Sequence, residues 1–447
     1  MRRLSAALAT LVLFASGCSG IRADKTPSSA DSEALIRDLV AHAQFSGAVR
    51  VTRGGKLVFE AAAGTADGTL PFLPETPSDS GSLAKPMMAE IVLGLAAEGA
   101  LDLDTKVQEL VPDYPYADTK VRSLLDHSAA LPDYGAFQAL LDAGQPVFIH
   151  DLLATLAGMQ RDPPAPGSFS YCNLCYDILG RVAEEASGQS LEDLFRERVF
   201  APSGMQGAFL RPARFADWPG VRTQGFRQGP EGPLPFDAFD NEGFHGASNV
   251  YLSVRDVSAY AERWAQGSVP AELVALALAA GAEPERSYTL GSWSCEEGNL
   301  RCHYTGHHQG FDTFAYWDRE TGITAAYVSN GGLSPHYQTE LPRALIALGE
   351  GRQARLETDR DAPLPEGLEG WYESGSGFRL EIVPRDGGIS IRPEGGLTYP
   401  AYPTGEGVLY VPGLDIFLSG SGEAGGLAFT ARSILAPPEV FRRSPQP

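Results

Sequence analysis

The chain has 447 residues, 43% hydrophobic and 20% charged, an ordinary globular composition that argues against overall disorder. Its length is large for one core, so one large domain and one smaller one are expected. The formal charge of −21 repels phosphate backbones and anionic lipid, which excludes nucleic-acid binding by the bulk surface.

The N-terminus reads as a targeting segment. Arg2 and Arg3 precede an apolar run from Leu4 to Phe14, too short to span a bilayer. Ala15, Ser16, Gly17 and Cys18 follow, a run of small residues that resembles the bacterial lipobox, with Ala15 where leucine is usual. The expectation is a signal peptide over 1–17, lipidation of Cys18 and a tether over 18–30. That makes the protein a periplasm-facing lipoprotein, with the outer membrane as its site and plain secretion as the other route. The anchor at Cys18 would be its one link to a membrane.

Leu35, Ile36, Leu39 and Val40 give helical spacing over Ser32 to His42. Gly47 to Thr52 and Lys56 to Ala61 read as strands joined by an Arg53-Gly54-Gly55 turn. After Pro71, Pro74 and Pro77 comes a strong helix with Leu83, Met87, Ile91, Val92 and Leu95 on one face. Helical patterns dominate to about residue 200. Strand patterns return at Phe314 to Trp317 and Ile323 to Ser329. The expected class is therefore α+β: an antiparallel sheet made by both ends of residues 31–350, flanked by helices and a helical subdomain.

A charged, Pro-containing stretch over 351–365 reads as a linker. Beyond it, over 366–447, Phe378, Leu380 and Ile382 alternate with Arg379 and Glu381, as in a small antiparallel β domain. Gly420, Gly422 and Gly425 spell G-x-G-x-x-G, but Gly426 to Phe429 reads as a strand. A nucleotide loop needs a helix N-terminus there, so this is read as a hairpin turn.

Three short constellations carry chemistry. Ser82 and Lys85 lie one turn apart at a helix start, where the helix dipole and an ammonium favour an alkoxide. Pro86 is tolerable there because its missing N–H costs nothing. Tyr171 and Asn173, two apart in what reads as an extended loop, can face one side. A phenol beside a lysine can take a proton from a serine, and an asparagine can donate to a carbonyl. Tyr304-Thr305-Gly306 opens a strand along which a substrate could lie, with a backbone N–H to stabilise an oxyanion. Cys172, Cys175, Cys295 and Cys302 suggest disulfides, Cys295 with Cys302 closing a hairpin; Cys172 and Cys175 could pair together or across to that hairpin. A four-cysteine zinc site is the rival reading. No other metal spacing is present, and no cofactor is expected.

In the order S-x-x-K, Y-x-N, T-G, the chain resembles the serine β-lactamase and penicillin-binding superfamily. The Y-x-N form is similar to class C β-lactamases, DD-peptidases and related esterases. Flanking stretches support this. Leu124 to Tyr134 resembles "LLTHTSGLPDY", Ser203-Gly204-Met205 resembles "PLGM", and Leu252 to Asp256 resembles "STARD". The resemblance implies that Ser82 is acylated, Lys85 assists, and Tyr171 is general base and then acid. It implies that Asn173, Tyr304, Thr305 and Gly306 bind substrate and that the N–H groups of Ser82 and His307 form the oxyanion hole. Two departures stand out: Tyr304 where the family carries Lys or His, and Ala129-Ala130 where Ser-Gly is usual. His127 reads as a packed histidine, and His307 and His308 as lining the cleft.

The expected function is a secreted acyl-enzyme hydrolase of small-molecule or peptidoglycan-derived substrates: an ester, a β-lactam or a D-amino-acid peptide, in that order. The missing cation at Tyr304 sets the order. The alternative is a catalytically silent protein that binds cell-wall peptide or a protein partner. The sequence does not set an oligomeric state.

Overall fold

The hairpin of Gly47–Arg53 and Lys56–Ala63 does not stand alone: its first strand pairs with Ile323–Ser329, Gly47 opposite Ser329 and Val49 opposite Tyr327. Six antiparallel strands result, in the order Lys56–Ala63, Gly47–Arg53, Ile323–Ser329, Phe311–Asp318, Arg301–His308, Ser294–Cys295. The two ends of the large domain thus build one sheet, as the strand patterns predict. In this computed structural model the described residues are 45–446, except 133, 162–165, 228–232, 237–240, 283–287, 297, 334, 353–366, 386–387, 397, 404–407, 412–415, 422–427 and 434–435. The signal segment, Cys18, the tether, the helix expected over Ser32 to His42, most of the 351–365 linker, and Gly422 and Gly425 lie outside the described residues.

Both faces of the sheet are covered. Ala48, Ala315, Trp317, Ala326 and Val328 join the large core under the helices. Their strand neighbours Val49, Val51, Phe314, Ala325 and Tyr327 pack with Leu341, Leu345 and Leu348 of the Pro335–Gly349 helix. Successive side chains of a strand point to opposite faces, so strands sandwiched this way read as unbroken apolar runs. Phe311–Asp318 and Ile323–Ser329 are buried at every position.

The helix Ala84–Ala97 departs from expectation. It is buried from Ala84 through Leu93 and again at Leu95, so it is a core helix rather than one with a single apolar face. Ala84, Met88, Ala89 and Leu93 fill the sides that the predicted stripe leaves open, which is the pattern of a helix surrounded by protein. Pro86 sits in its first turn. Asn173–Ser187 packs against it and ends at Gly188 in the left-handed conformation (φ 70°), a common helix terminator.

At the C-terminus a separate small β domain closes into an eight-stranded barrel, from Gly370–Ser374 to Ala436–Arg443, with Tyr372 opposite Arg443 at the seam. Closure leaves no free edge. Tyr372, Leu380, Ile382, Ile391, Leu409, Leu418 and Phe441 fill it. Leu380 and Ile382 point inward as their alternation predicts. Phe378 does not: it precedes the Arg379–Arg385 strand and is exposed.

Candidate active site

Ser82 sits in a single tight turn, Gly81–Leu83, that runs straight into the Ala84–Ala97 helix. The Arg301–His308 strand lies directly against that turn. A Cβ on Gly306 would fall 2.0 Å from the Ser80 carbonyl oxygen and 2.9 Å from the Leu83 nitrogen. A Cβ on Gly81 (φ +49°) would fall 2.6 Å from the His307 nitrogen. Both positions need glycine for this approach. Thr313 on the adjoining strand donates to the Ser80 carbonyl at 2.5 Å. The packing brings the backbones of Ser82 and His307 side by side.

Lys85 is fully buried, and its ammonium has three acceptors. These are Ser82 Oγ at 3.1 Å, Asn173 Oδ1 at 2.8 Å and the Ala247 carbonyl at 3.1 Å. Three donors meet three acceptors, so the charge is fully hydrogen-bonded where burial would otherwise be costly. The ammonium also lies 4.9 Å from the centroid of the Tyr171 ring and 5.7 Å from that of Tyr176. Ala247 acts through its backbone, so nothing in its side chain marks it in the sequence. Its own N–H is held by Asp177 at 3.1 Å, and Tyr134 donates to the same carboxylate. Burial pushes Asp177 up to about 6 against these hydrogen bonds.

Asn173 is not in an extended loop. It is the first residue of the Asn173–Ser187 helix, capped by Cys172, and its carbonyl oxygen is committed to Lys85. Tyr171 stands just before the cap. Its ring stacks on His127, centroids 4.8 Å apart. Although 42% of the residue is exposed, its hydroxyl lies 3.4 Å from that of Tyr304. Burial of the phenol raises its pKa. The Lys85 charge outweighs that, aided by the hydroxyls of Ser82 and Tyr304, and leaves Tyr171 below the usual tyrosine value.

His127 is buried in a left-handed conformation (φ 60°) and its Nδ1 accepts the Cys172 N–H at 3.1 Å. Burial first, then the nearby Lys85 charge, depresses its pKa to about 3. It is a neutral packing partner for Tyr171, not a base in a triad.

Tyr304 departs from the reading of a substrate-binding side chain. It is only 2% exposed and its hydroxyl faces Tyr171. Burial, then the Tyr171 charge, holds it well above the ordinary range, so it remains a phenol able to donate to Tyr171. Strand alternation puts Tyr304 and Gly306 on the buried side and Thr305 and His307 on the exposed side. His307 pairs through Nδ1 with Asp312 at 2.7 Å, a hydrogen bond that raises its pKa against burial. His308 does not line the cleft: it turns inward onto Asp79.

The cysteines pair locally, Cys172 with Cys175 and Cys295 with Cys302. The first bridge ties the cap residue Cys172, between Tyr171 and Asn173, to Cys175 in the first turn of the helix. The second closes the hairpin that leads into the Tyr304 strand. These bridges replace the zinc alternative, and among the described residues no cluster of three or more ligating side chains could hold a metal ion.

A serine, a buried lysine bonded to it and an ionisable phenol above both define a serine hydrolase. The chain belongs to the Beta-lactamase family, whose model matches residues 33–350. It is 27% identical over 297 residues to penicillin-binding protein 4 of Amycolatopsis lactamdurans, covering 60% of this chain and 75% of that one. It is 26% identical over 373 residues to a D-aminopeptidase of Cereibacter sphaeroides, covering 77% and 67%. Its fold is similar to that of the octameric penicillin-binding protein homologue from Pyrococcus abyssi, with TM-score 0.63, 20% identity and coverage of 92% and 99%.

Proposed function

We propose that the protein hydrolyses neutral or amine-bearing acyl compounds, esters and D-aminoacyl amides, through an acyl-enzyme on Ser82, and handles carboxylate-bearing β-lactams poorly. Tyr171 as phenolate takes the Ser82 proton, and Oγ attacks the carbonyl carbon. The resulting oxyanion sits between the N–H groups of Ser82 and His307. The bond to the leaving oxygen or nitrogen then breaks, and Tyr171 returns the proton to it. Water repeats the sequence on the acyl-enzyme and frees Ser82. Lys85 supplies fixed positive charge beside the developing anions.

One observation carries the substrate preference. The position that could offer a cation holds Tyr304, a buried neutral phenol engaged with Tyr171. A substrate carboxylate desolvated there would lack a countercharge. Similarity to a D-aminopeptidase supports the amine-bearing side of the reading. Rates on p-nitrophenyl acetate, D-alanine p-nitroanilide and nitrocefin test it. The first two should exceed nitrocefin in kcat/KM, and the reverse order would remove the case for Tyr304 as the selecting feature.

Tyr304→Phe should separate tuning from binding. The active form of Tyr171 is the deprotonated one, so kcat/KM rises with pH through its pKa, which the site holds below the ordinary tyrosine value. Loss of the Tyr304 donor should move that limb to higher pH, with KM little altered. A pH–rate profile that does not move would contradict this role.

The protein is further proposed to act in the cell envelope, lipidated at Cys18 after cleavage of residues 1–17. Two disulfides support an oxidising compartment. Intact-mass analysis of the membrane fraction should find a diacylglyceryl Cys18, and Cys18→Ala should release the protein from membranes. A membrane-bound Cys18→Ala protein would argue against the anchor.

A further inference from the structure

Asp79 is buried at the end of the short Ser78–Asp79 strand, three residues before Ser82. Its Oδ1 accepts the Gly81 N–H at 2.8 Å and the Asn249 N–H at 3.2 Å. Its Oδ2 meets His308 Nδ1 at 3.0 Å. These contacts reach three separate parts of the site. Gly81 directly precedes Ser82. Asn249 lies two residues after Ala247, whose carbonyl holds Lys85. His308 follows His307, the second half of the oxyanion hole in the reading above.

The pair is backed by a second buried layer. Glu242 lies 3.8 Å from His308 Nε2 and is itself held by Arg211 and Gln309, each at 2.6 Å. Arg211 also reaches Asn249 Oδ1 at 3.3 Å. Burial works against a charged His308, but the Asp79 and Glu242 carboxylates outweigh it and hold the imidazole above its ordinary range. A buried network of opposite charges of this kind resists small changes in geometry, because each displacement strands a charge.

We propose that Asp79 is a positioning residue for acyl transfer: its carboxylate, paired with His308, fixes the Ser82 turn, the loop that holds Lys85 and the His307 strand relative to one another. Asp79 acts through Gly81, Asn249 and His308, not on the reacting atoms. The proposal rests on Ser82 as the nucleophile.

The test uses Asp79→Asn, His308→Gln and the double variant in the full chain, with Ser82 titrated by a fluorophosphonate. Misplacement on the ångström scale costs on the order of 10- to 100-fold in rate. Each single variant should therefore lose that much kcat per titrated site, with KM changed far less. The double variant should be no worse than the worse single one, since the two residues act as one unit. A purely structural role would lower the melting temperature and the titratable fraction but leave kcat per titrated site unchanged, and that result overturns the proposal. Should Asp79→Asn fail to fold, His308→Gln keeps the Gly81 and Asn249 contacts and carries the test alone. Wild-type protein that takes no label at Ser82 would instead overturn the nucleophile on which the proposal stands.

Discussion

Ser82→Ala should lose at least about 10⁴-fold in kcat on p-nitrophenyl acetate, the scale of losing a nucleophile from a unit that acts together. The substitution removes the only atom that can carry the acyl group. It leaves the surrounding packing intact, since Ser82 is half-buried and its hydroxyl meets only Lys85 and the Tyr171 hydroxyl among the described residues. The melting temperature should therefore stay close to wild type while turnover collapses. Lys85 keeps its contacts to Asn173 and Ala247, so no buried charge is stranded. Residual activity within about tenfold of wild type would place the nucleophile elsewhere.

Tyr171→Phe is the second large effect. General acid–base catalysis by a positioned side chain is worth about 10²- to 10⁴-fold, and the loss should fall in that range. Phenylalanine preserves the ring stacked on His127 and removes only the hydroxyl. The change should appear in kcat and in kcat/KM alike, with KM nearly constant, because proton transfer is felt in the transition state. The pH limb assigned to Tyr171 should also disappear. A variant that keeps both wild-type rates and the wild-type pH profile would show that another group moves the proton.

The parts of this arrangement that depend on local pattern are readable in the sequence. Ser82 and Lys85 share a helix turn, Tyr171 and Asn173 flank one helix cap, and the Thr305-Gly306 strand follows strand spacing. Strand patterns at both ends of residues 31–350 likewise foretell a sheet built by the two ends of that domain. Tyr304 was partly readable: period-two alternation already separates it from Thr305, although the two look like one binding motif. The all-round burial of Ala84–Ala97 also had its signal, in small and apolar residues at Ala84, Met88, Ala89 and Leu93.

What the sequence hides is long-range and polar. Ala247 contributes a carbonyl, 162 residues from Lys85. Asp79 meets His308 across 229 residues, and Glu90, in a helix whose other charged residue is Lys85, meets Arg263 across 173. Hydrophobic periodicity reports which face is buried, not which charges will find each other once it is. The neutral state of His127 has the same origin: it follows from burial and from Lys85, neither of which its sequence neighbours reveal.

Turnover depends on one covalent bond, between Ser82 Oγ and the acyl carbon of the substrate. Brief reaction of the wild-type protein with a fluorophosphonate or an activated ester, quenching in acid and peptide mapping by mass spectrometry would reveal it directly. The expected result is a single stoichiometric adduct on the peptide that contains Ser82, absent from Ser82→Ala. An unmodified Ser82 peptide, or an adduct carried by another residue, would contradict the acyl-enzyme.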